Sequence, residues 1–488
     1  MRARELIEKL GYGSSLPLPA DFEVKGISCN SKETFDNFIF VAVEGERADG
    51  HRFVGEAIGR GAKVIVVNEL RARDFIGLPG ADLIAVKDTR NTLARLAAGF
   101  YGNPSSRINV VGVTGTNGKT TITYLLEALL KEAGLSSAVI GTVNYRFKNR
   151  IIPALNTTPG PLQLQSMLAD MAGEGIKYAV MEVSSHALSQ DRTEGIIFHS
   201  AIFSNLSQDH LDYHKTLEDY FQAKAKLFKN LQERSFAVIN NDDERVRTIT
   251  GFLLAQAITY AIDGAADITA RDIKLDIDGT SLLLKAYGKE IKFKTRLIGR
   301  HNIYNLLAAF AWAFKAGLDE AVTMSALSEF SFIPGRLERV GSSRGFQVFV
   351  DYAHTEDALD NVLKSLRQLC AGKIIALFGC GGERDKDKRP KMGRVASELS
   401  DHVIITSDNP RSEDPAGIIE DILKGIKKDN CSVIPDRKEA IQKALSIAGD
   451  GDIVLIAGKG HENYQVLKDG AIHFDDREVV RECLKSAN

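Results

Sequence analysis

A short β-branched run at 110–113 leads into the glycine-rich turn Gly115-Thr116-Asn117-Gly118 and then into Lys119-Thr120-Thr121, where an apolar-periodic helix begins. No other stretch constrains the fold as tightly. A buried strand followed at once by a helix belongs in a parallel sheet, because the helix carries the chain back across the sheet face. The same order aims successive backbone N–H groups and a helix N-terminus at one point, where a phosphate is held. Lys119 would reach the β- and γ-phosphates of a nucleotide and Thr120 would hold Mg²⁺, with Gly115, Thr116, Asn117, Gly118 and Thr121 forming the cradle. The usual leading glycine of such loops is replaced by Val113, and Gly115 supplies the flexibility instead. An ordinary βα turn is the competing reading; strand, loop, Gly-Lys-Thr and helix in this order favour nucleotide binding.

Similar β-branched runs recur at 38–43, 64–67, 179–183, 374–378, 403–406 and 453–457, and helical patterns lie between them at 120–133, 302–316 and 437–447. This alternation predicts α/β layering. Breaks at 102–106 and 333–336, in a chain of 488 residues, divide it into three domains at 1–104, 105–333 and 334–488. The expected architecture is a central mostly parallel sheet of the phosphate-loop type, flanked by an amino-terminal α/β domain and a carboxyl-terminal Rossmann-like one. Lys and Arg number 62 against 64 Asp and Glu, a net charge of −2 that argues against a polybasic nucleic-acid binder. Five scattered cysteines without a CxxC pair suit a reducing compartment. The sequence has neither a long apolar run nor a signal-peptide core at its start, so a cytoplasmic protein with no membrane insertion is expected.

Several further segments bear on function: Glu182-Val183-Ser184-Ser185-His186, Asp209-His210-Leu211-Asp212, His301-Asn302-Ile303-Tyr304-Asn305 and Asp351-Tyr352-Ala353-His354. Together with the phosphate loop they resemble the Mur ligase family over essentially the whole chain. Asn156-Thr157-Thr158-Pro159-Gly160 and Asp408-Asn409-Pro410-Arg411 resemble the members that extend UDP-N-acetylmuramoyl-L-Ala-D-Glu, the second run in its diaminopimelate-adding form. The resemblance implies an ATP-dependent amide ligase of peptidoglycan precursor synthesis. It would add meso-diaminopimelate to that acceptor through an acyl phosphate, with two Mg²⁺ sites, and is expected to act as a monomer.

Glu182 closes a buried strand, where a carboxylate needs a partner, and at a strand's carboxyl end Mg²⁺ is a natural one. A hydrogen-bonded structural Glu is the alternative; the resemblance favours the metal, and makes His210 a ligand of a second one. In the helical stretch 219–228, Lys224 has Tyr220, Phe221, Leu227 and Phe228 at its i±3 and i±4 positions, whereas Lys226 has Gln222, Ala223, Lys229 and Asn230. Lys224 is therefore the buried lysine, with a lowered pKa and a nucleophilic amine. The resemblance implies that it captures CO₂ as a carbamate that binds Mg²⁺; a snorkelling lysine is the plain alternative.

By the same resemblance, Asn302, Arg336 and Asp351 would contact ATP, and Asn156, Thr157, Thr158, Ser184, Gln190 and Arg192 the muramoyl-dipeptide end. Asn30-Ser31-Lys32, standing where the family has Asp-Ser-Arg, and the segment 45–50 would hold the uridine diphosphate, with Ser31 as the site residue. The loop 379–389, with Arg384, would face Asp408, Asn409, Pro410 and Arg411, and Gly458 and Glu462, around the incoming amino acid. Arginines there suit carboxylates and acids suit an ammonium. Read without the family, loop 379–389 is a solvated surface loop. The rival functions are a lysine-adding relative, a folylpolyglutamate synthase-like ligase, and a non-catalytic scaffold.

Overall fold

Four sheets organise the described residues of the computed structural model, which are all but 9, 11–19, 46–47, 332, 342–344 and 487–488. The first sheet runs Gly26–Ser28, Phe38–Val41, Ala62–Asn68 and Asp82–Val86, parallel and in chain order. The helix Thr89–Phe100 covers one of its faces through Leu93 and Leu96, which pack with Ile39, Val64 and Val66.

The second sheet has eleven strands. At its centre Asn109–Thr114 lies between Tyr178–Glu182 and Phe198–Phe203, both parallel to it. Side chains alternate between faces along each strand, so Val111, Val113 and Val180 enter one core while Val110, Ala179 and Met181 enter the other. The first core is closed by the helices Lys119–Glu132 and Arg300–Lys315, the second by Pro161–Gly173 and Leu217–Lys229. Both faces are thus dry, which is why these strands read as continuous apolar runs.

The sheet is mostly parallel, as expected, and its two ends add antiparallel strands that the sequence pattern does not mark. Asn144–Phe147 and Arg150–Pro153 form an antiparallel extension at one end, and Ile268–Asp276, Gly279–Ala286 and Lys289–Thr295 an antiparallel meander at the other. These strands alternate buried and exposed residues and carry many charges. They lack the uniform apolar run that marked the others.

The third sheet places Gln347–Asp351, Ile453–Ala457, Ile374–Phe378, His402–Ile405 and Cys431–Val433 in parallel, with Glu338–Arg339 antiparallel at its edge. After Ile374–Phe378 the chain moves outward in one direction, then returns to set Ile453–Ala457 on the other side. The carboxyl ends of those two neighbours form the crevice where such sheets bind ligands. A small hairpin, Tyr464–Leu467 with Gly470–His473, follows. No helix among the described residues is long and apolar enough to cross a membrane.

Candidate active site

The strand Asn109–Thr114 ends at the phosphate loop, whose Gly115 and Gly118 have φ of +142° and +88°. A Cβ at Gly115 would run into Ser204 Oγ, and one at Gly118 into Asn305 Oδ1, so the loop requires glycine at both positions. Lys119 starts the following helix and its Nζ turns back to donate to the carbonyls of Gly115 (2.9 Å) and Thr116 (2.8 Å). Burial above all pushes its pKa down. This loop faces a cavity of about 920 Å³ whose wall is built from the second and third sheets and their loops.

Glu182, the last residue of its strand, is 1% exposed. Its Oε1 accepts from Thr120 Oγ1 (3.0 Å) and Thr142 N–H (2.9 Å), and its Oε2 from the Thr142 hydroxyl (3.0 Å). Thr142 Oγ1 lies 3.1 Å from Thr157 Oγ1. A chain of hydroxyls and one carboxylate therefore runs from the phosphate loop to the predicted acceptor loop. Among the described residues, no three His, Cys, Asp or Glu side chains cluster as a metal site. The donor set that is present, one buried carboxylate beside a threonine hydroxyl, fits Mg²⁺, which takes few protein ligands and completes its shell with phosphates and water.

Lys224 and Lys226 separate as their helical neighbours predict. Lys224 is 1% exposed, donates to Gly115 O (2.8 Å) and lies 4.4 Å above the Tyr220 ring. Burial, then the nearby Lys119 charge, holds its pKa well below the ordinary lysine value. Lys226 reaches solvent and pairs with Asp191 and Glu194. His210, in a left-handed backbone conformation, sits beside Asp209 and His186, and burial takes its pKa down to about 4 despite Asp209.

Asn156, Thr157, Ser184, Gln190 and Arg192 line the same cavity. Arg192 is braced by Gln190 Oε1 and by Thr158 O. Thr158 does not line the cavity: fully buried, it donates to Glu182 O (2.8 Å) and accepts from Ser184 N–H (3.0 Å), joining the two segments from behind. Ser31 lies in the first sheet's unit, outside the cavity wall, and donates to Glu56 Oε2 (2.8 Å). Glu46 and Arg47, in the other predicted uridine-diphosphate segment, are outside the described residues.

From the third sheet's unit, Arg336 brings Nη2 to 3.4 Å from Thr120 Oγ1 while its guanidinium stacks 4.6 Å above Tyr352. Asp351 accepts from the N–H groups of Leu337 and Ala353, and burial raises its pKa. Asn302 Oδ1 accepts from Asn305 Nδ2 behind the phosphate loop. Asn117 donates to Asp357 Oδ2 (2.7 Å), tying the phosphate loop to the helix Glu356–Arg367. Asp357, Thr142 and Asn305 were missed in the sequence. Asn305 closes a quoted motif without being given a role and Asp357 lies just beyond another, whereas Thr142 stands in a featureless turn.

Around the crevice, Arg384, Asp408, Asn409, Arg411, Gly458 and Glu462 line the cavity. Arg411, with φ of +55°, donates through Nη1 to Gly382 O (2.7 Å). Pro410 packs its carbonyl against Gly382, where a Cβ would collide with it, and shapes the turn without lining the cavity. The loop 379–389 is not simply a solvated surface loop. Arg389 is 1% exposed, bound to Glu413 and Asp421, because it sits on the inner face of the helix Lys388–Leu399. Beneath the crevice, Arg437 and Asp476 form a bidentate ion pair with no exposed surface on either side chain. Arg437 also donates to Ser407 O and Ala457 O, the carbonyls just before Asp408 and Gly458.

Three family descriptions match successive parts of the chain: "Mur ligase family, catalytic domain" over 23–101, "Mur ligase middle domain" over 113–313, and "Mur ligase, glutamate ligase domain" over 335–460. The chain is 42% identical over 492 aligned residues to the UDP-N-acetylmuramoyl-L-alanyl-D-glutamate--2,6-diaminopimelate ligase of Clostridium tetani, covering 99% of each. It is 45% identical to the enzyme of the same name from Aquifex aeolicus, covering 94% of each. A solved structure of a ligase of that name, 33% identical, superposes with a TM-score of 0.71 over 100% of this chain and 99% of the other. With the phosphate loop, the buried strand-end carboxylate and the crevice of the third sheet opening on one cavity, the chain belongs to the Mur ligase family.

Proposed function

We propose that the chain is an ATP-dependent amide ligase that joins meso-diaminopimelate to the D-Glu γ-carboxylate of UDP-N-acetylmuramoyl-L-Ala-D-Glu. The observation that carries this is the single cavity shared by the phosphate loop, the acceptor threonines and the arginines of the crevice. A carboxylate does not condense with an amine in water without activation. ATP transfers its γ-phosphoryl group to the acceptor carboxylate, the diaminopimelate amine attacks the resulting acyl phosphate, and phosphate leaves. Lys119 and the backbone N–H groups of residues 115–121 hold the phosphates and offset charge on the transferring group. Asn302, Arg336 and Asp351 hold the rest of the nucleotide. Ser184, Gln190, Arg192, Asn156 and Thr157 orient the acceptor, with Thr158 behind them. Arg384 and Arg411 take carboxylates of the incoming amino acid, while Asp408 and Glu462 take its ammonium. Asn409, Pro410 and Gly458 shape that pocket, and Ser31 belongs to the uridine-diphosphate end.

Thr120 and Glu182 would hold one Mg²⁺, and His210 with a carbamate on Lys224 a second. Such ions would supply positive charge that offsets the charge of the phosphates and of the acceptor carboxylate. Burial favours the neutral amine of Lys224, which is the state that reacts with CO₂. The chain is proposed to act as a monomer. The test is phosphate release from ATP, assayed with and without the nucleotide-sugar dipeptide and each candidate amino acid. Release that requires both the dipeptide and meso-diaminopimelate is expected. Release indifferent to the amino acid would mean a simple ATPase, no release would mean a scaffold, and preference for lysine would mean the lysine-adding reaction.

A further inference from the structure

Lys459 does not line the cavity, although its neighbours Gly458, His461 and Glu462 do. Its side chain is 0% exposed, and its three protons meet three acceptors: Asn409 Oδ1 (3.3 Å), Glu462 Oε2 (3.1 Å) and Tyr464 O. No donor is left for a ligand. Two of those acceptors are side chains that the functional reading places against the incoming amino acid.

The network fixes both of them in one orientation. Val466 N–H can only donate, and it donates to Asn409 Oδ1 (2.9 Å) on the same side as Lys459. The Asn409 amide nitrogen must therefore face Glu462, where it donates to Oε2 (2.8 Å). Glu462 Oε2 takes bonds from both Asn409 and Lys459. Among the described residues, its Oε1 has only a long contact, 3.5 Å, from Tyr352 OH. One carboxylate oxygen is thus committed to the protein, and the other is presented to the cavity.

We propose that Lys459 is a positioning residue for the amino-acid half of the site: it holds Glu462 and Asn409 so that Glu462 Oε1 receives the ammonium of the incoming amino acid. This rests on the functional reading above. It goes further in assigning that half's selectivity to a buried cation that touches no substrate. Without the Lys459 ammonium, Glu462 Oε2 would lose a charge-assisted bond and Asn409 Oδ1 one of its two donors, leaving both side chains less firmly held.

The experiment compares the wild type with Lys459→Met, Glu462→Gln and the double variant, measuring KM for meso-diaminopimelate, ATP and the nucleotide-sugar dipeptide in the phosphate-release assay. Lys459→Met is expected to raise KM for diaminopimelate by about 10- to 100-fold, with KM for the other two substrates unchanged. Because Lys459 acts through Glu462, adding Lys459→Met to Glu462→Gln should change KM by less than about threefold. The double variant also removes both charges of the ion pair together, so no unpaired charge remains and the comparison stays open if Lys459→Met alone fails to fold. An unchanged KM for diaminopimelate, an equal rise for all three substrates, or independent multiplying effects in the double variant would overturn the proposal. A wild type that does not use diaminopimelate would instead overturn the functional reading itself.

Discussion

Diaminopimelate differs from lysine by one carboxylate, and Arg411, which lines the cavity, is the group proposed to read it. Its Nη1 is committed to Gly382 O at 2.7 Å, and among the described residues the other two guanidinium nitrogens make no hydrogen bond. The guanidinium is thereby oriented, with a free edge on the cavity. Two charge-assisted bonds at about 1.5–3 kcal/mol each would separate the two substrates by about 3–6 kcal/mol. Arg411 is only partly buried, so solvent weakens each bond and the lower part of that range applies. At about 1.4 kcal/mol per factor of ten, the expected preference in kcat/KM is about 100- to 1,000-fold. The informative substitution is Arg411→Asn rather than alanine, because φ here is +55° and asparagine tolerates that conformation. In the phosphate-release assay the variant should lose the diaminopimelate preference, while kcat/KM for lysine changes by less than about threefold. The reasoning is refuted if the wild type uses lysine as well as diaminopimelate, or if Arg411→Asn lowers both substrates equally.

Two other perturbations test separate parts of the site. Lys224→Ala should reduce turnover by at least about 100-fold and recover partly in high bicarbonate; full activity in that variant would remove the carbamate from the reaction. Burial, then Arg336, pushes His301 and His461 down to about 4 and about 3, against an unfolded value near 6.5. Above pH 6.5 both states bind the same protons at these groups, and below it the unfolded chain takes up protons that the folded chain refuses. Stability is therefore complete above about pH 6.5 and falls toward pH 4, by up to about 1.4 kcal/mol per pH unit for each such histidine. The melting temperature should drop across that window, and less steeply in His301→Asn; a flat profile from pH 7 to pH 5 would contradict it.

What the sequence made legible followed from local periodicity. The run 374–378 is the strand Ile374–Phe378 and the pattern 437–447 is the helix Arg437–Ile447, because each carries a uniform apolar or 3.6-residue signal. Lys224 could be told from Lys226 for the same reason: the four neighbours of each are fixed by helical spacing alone. The meander 268–295 escaped notice because its strands face solvent on one side and alternate with lysines. Thr142 and Lys459 escaped for a different reason. Their partners, Glu182 for the first and Asn409 for the second, are about 40 and 50 positions away, and only the sheet order brings them together. Arg389 looked like one more charge in a polar loop until Glu413 and Asp421 were seen to close around it.

Arg437 and Asp476 give the far end of the chain a stake in chemistry it never touches. Asp476 opens the helix Asp476–Ser486, whose residues have no place in the cavity wall. It is nonetheless the only bidentate partner, among the described residues, of the guanidinium that grips Ser407 O and Ala457 O. A chain cut before residue 476 would leave that cation buried and unmatched, beneath the two turns that shape the proposed amino-acid pocket. The carboxyl terminus, where trimming or a fusion tag would seem harmless, is thus the counterweight of the pocket, and extensions are better placed beyond the helix than in exchange for it.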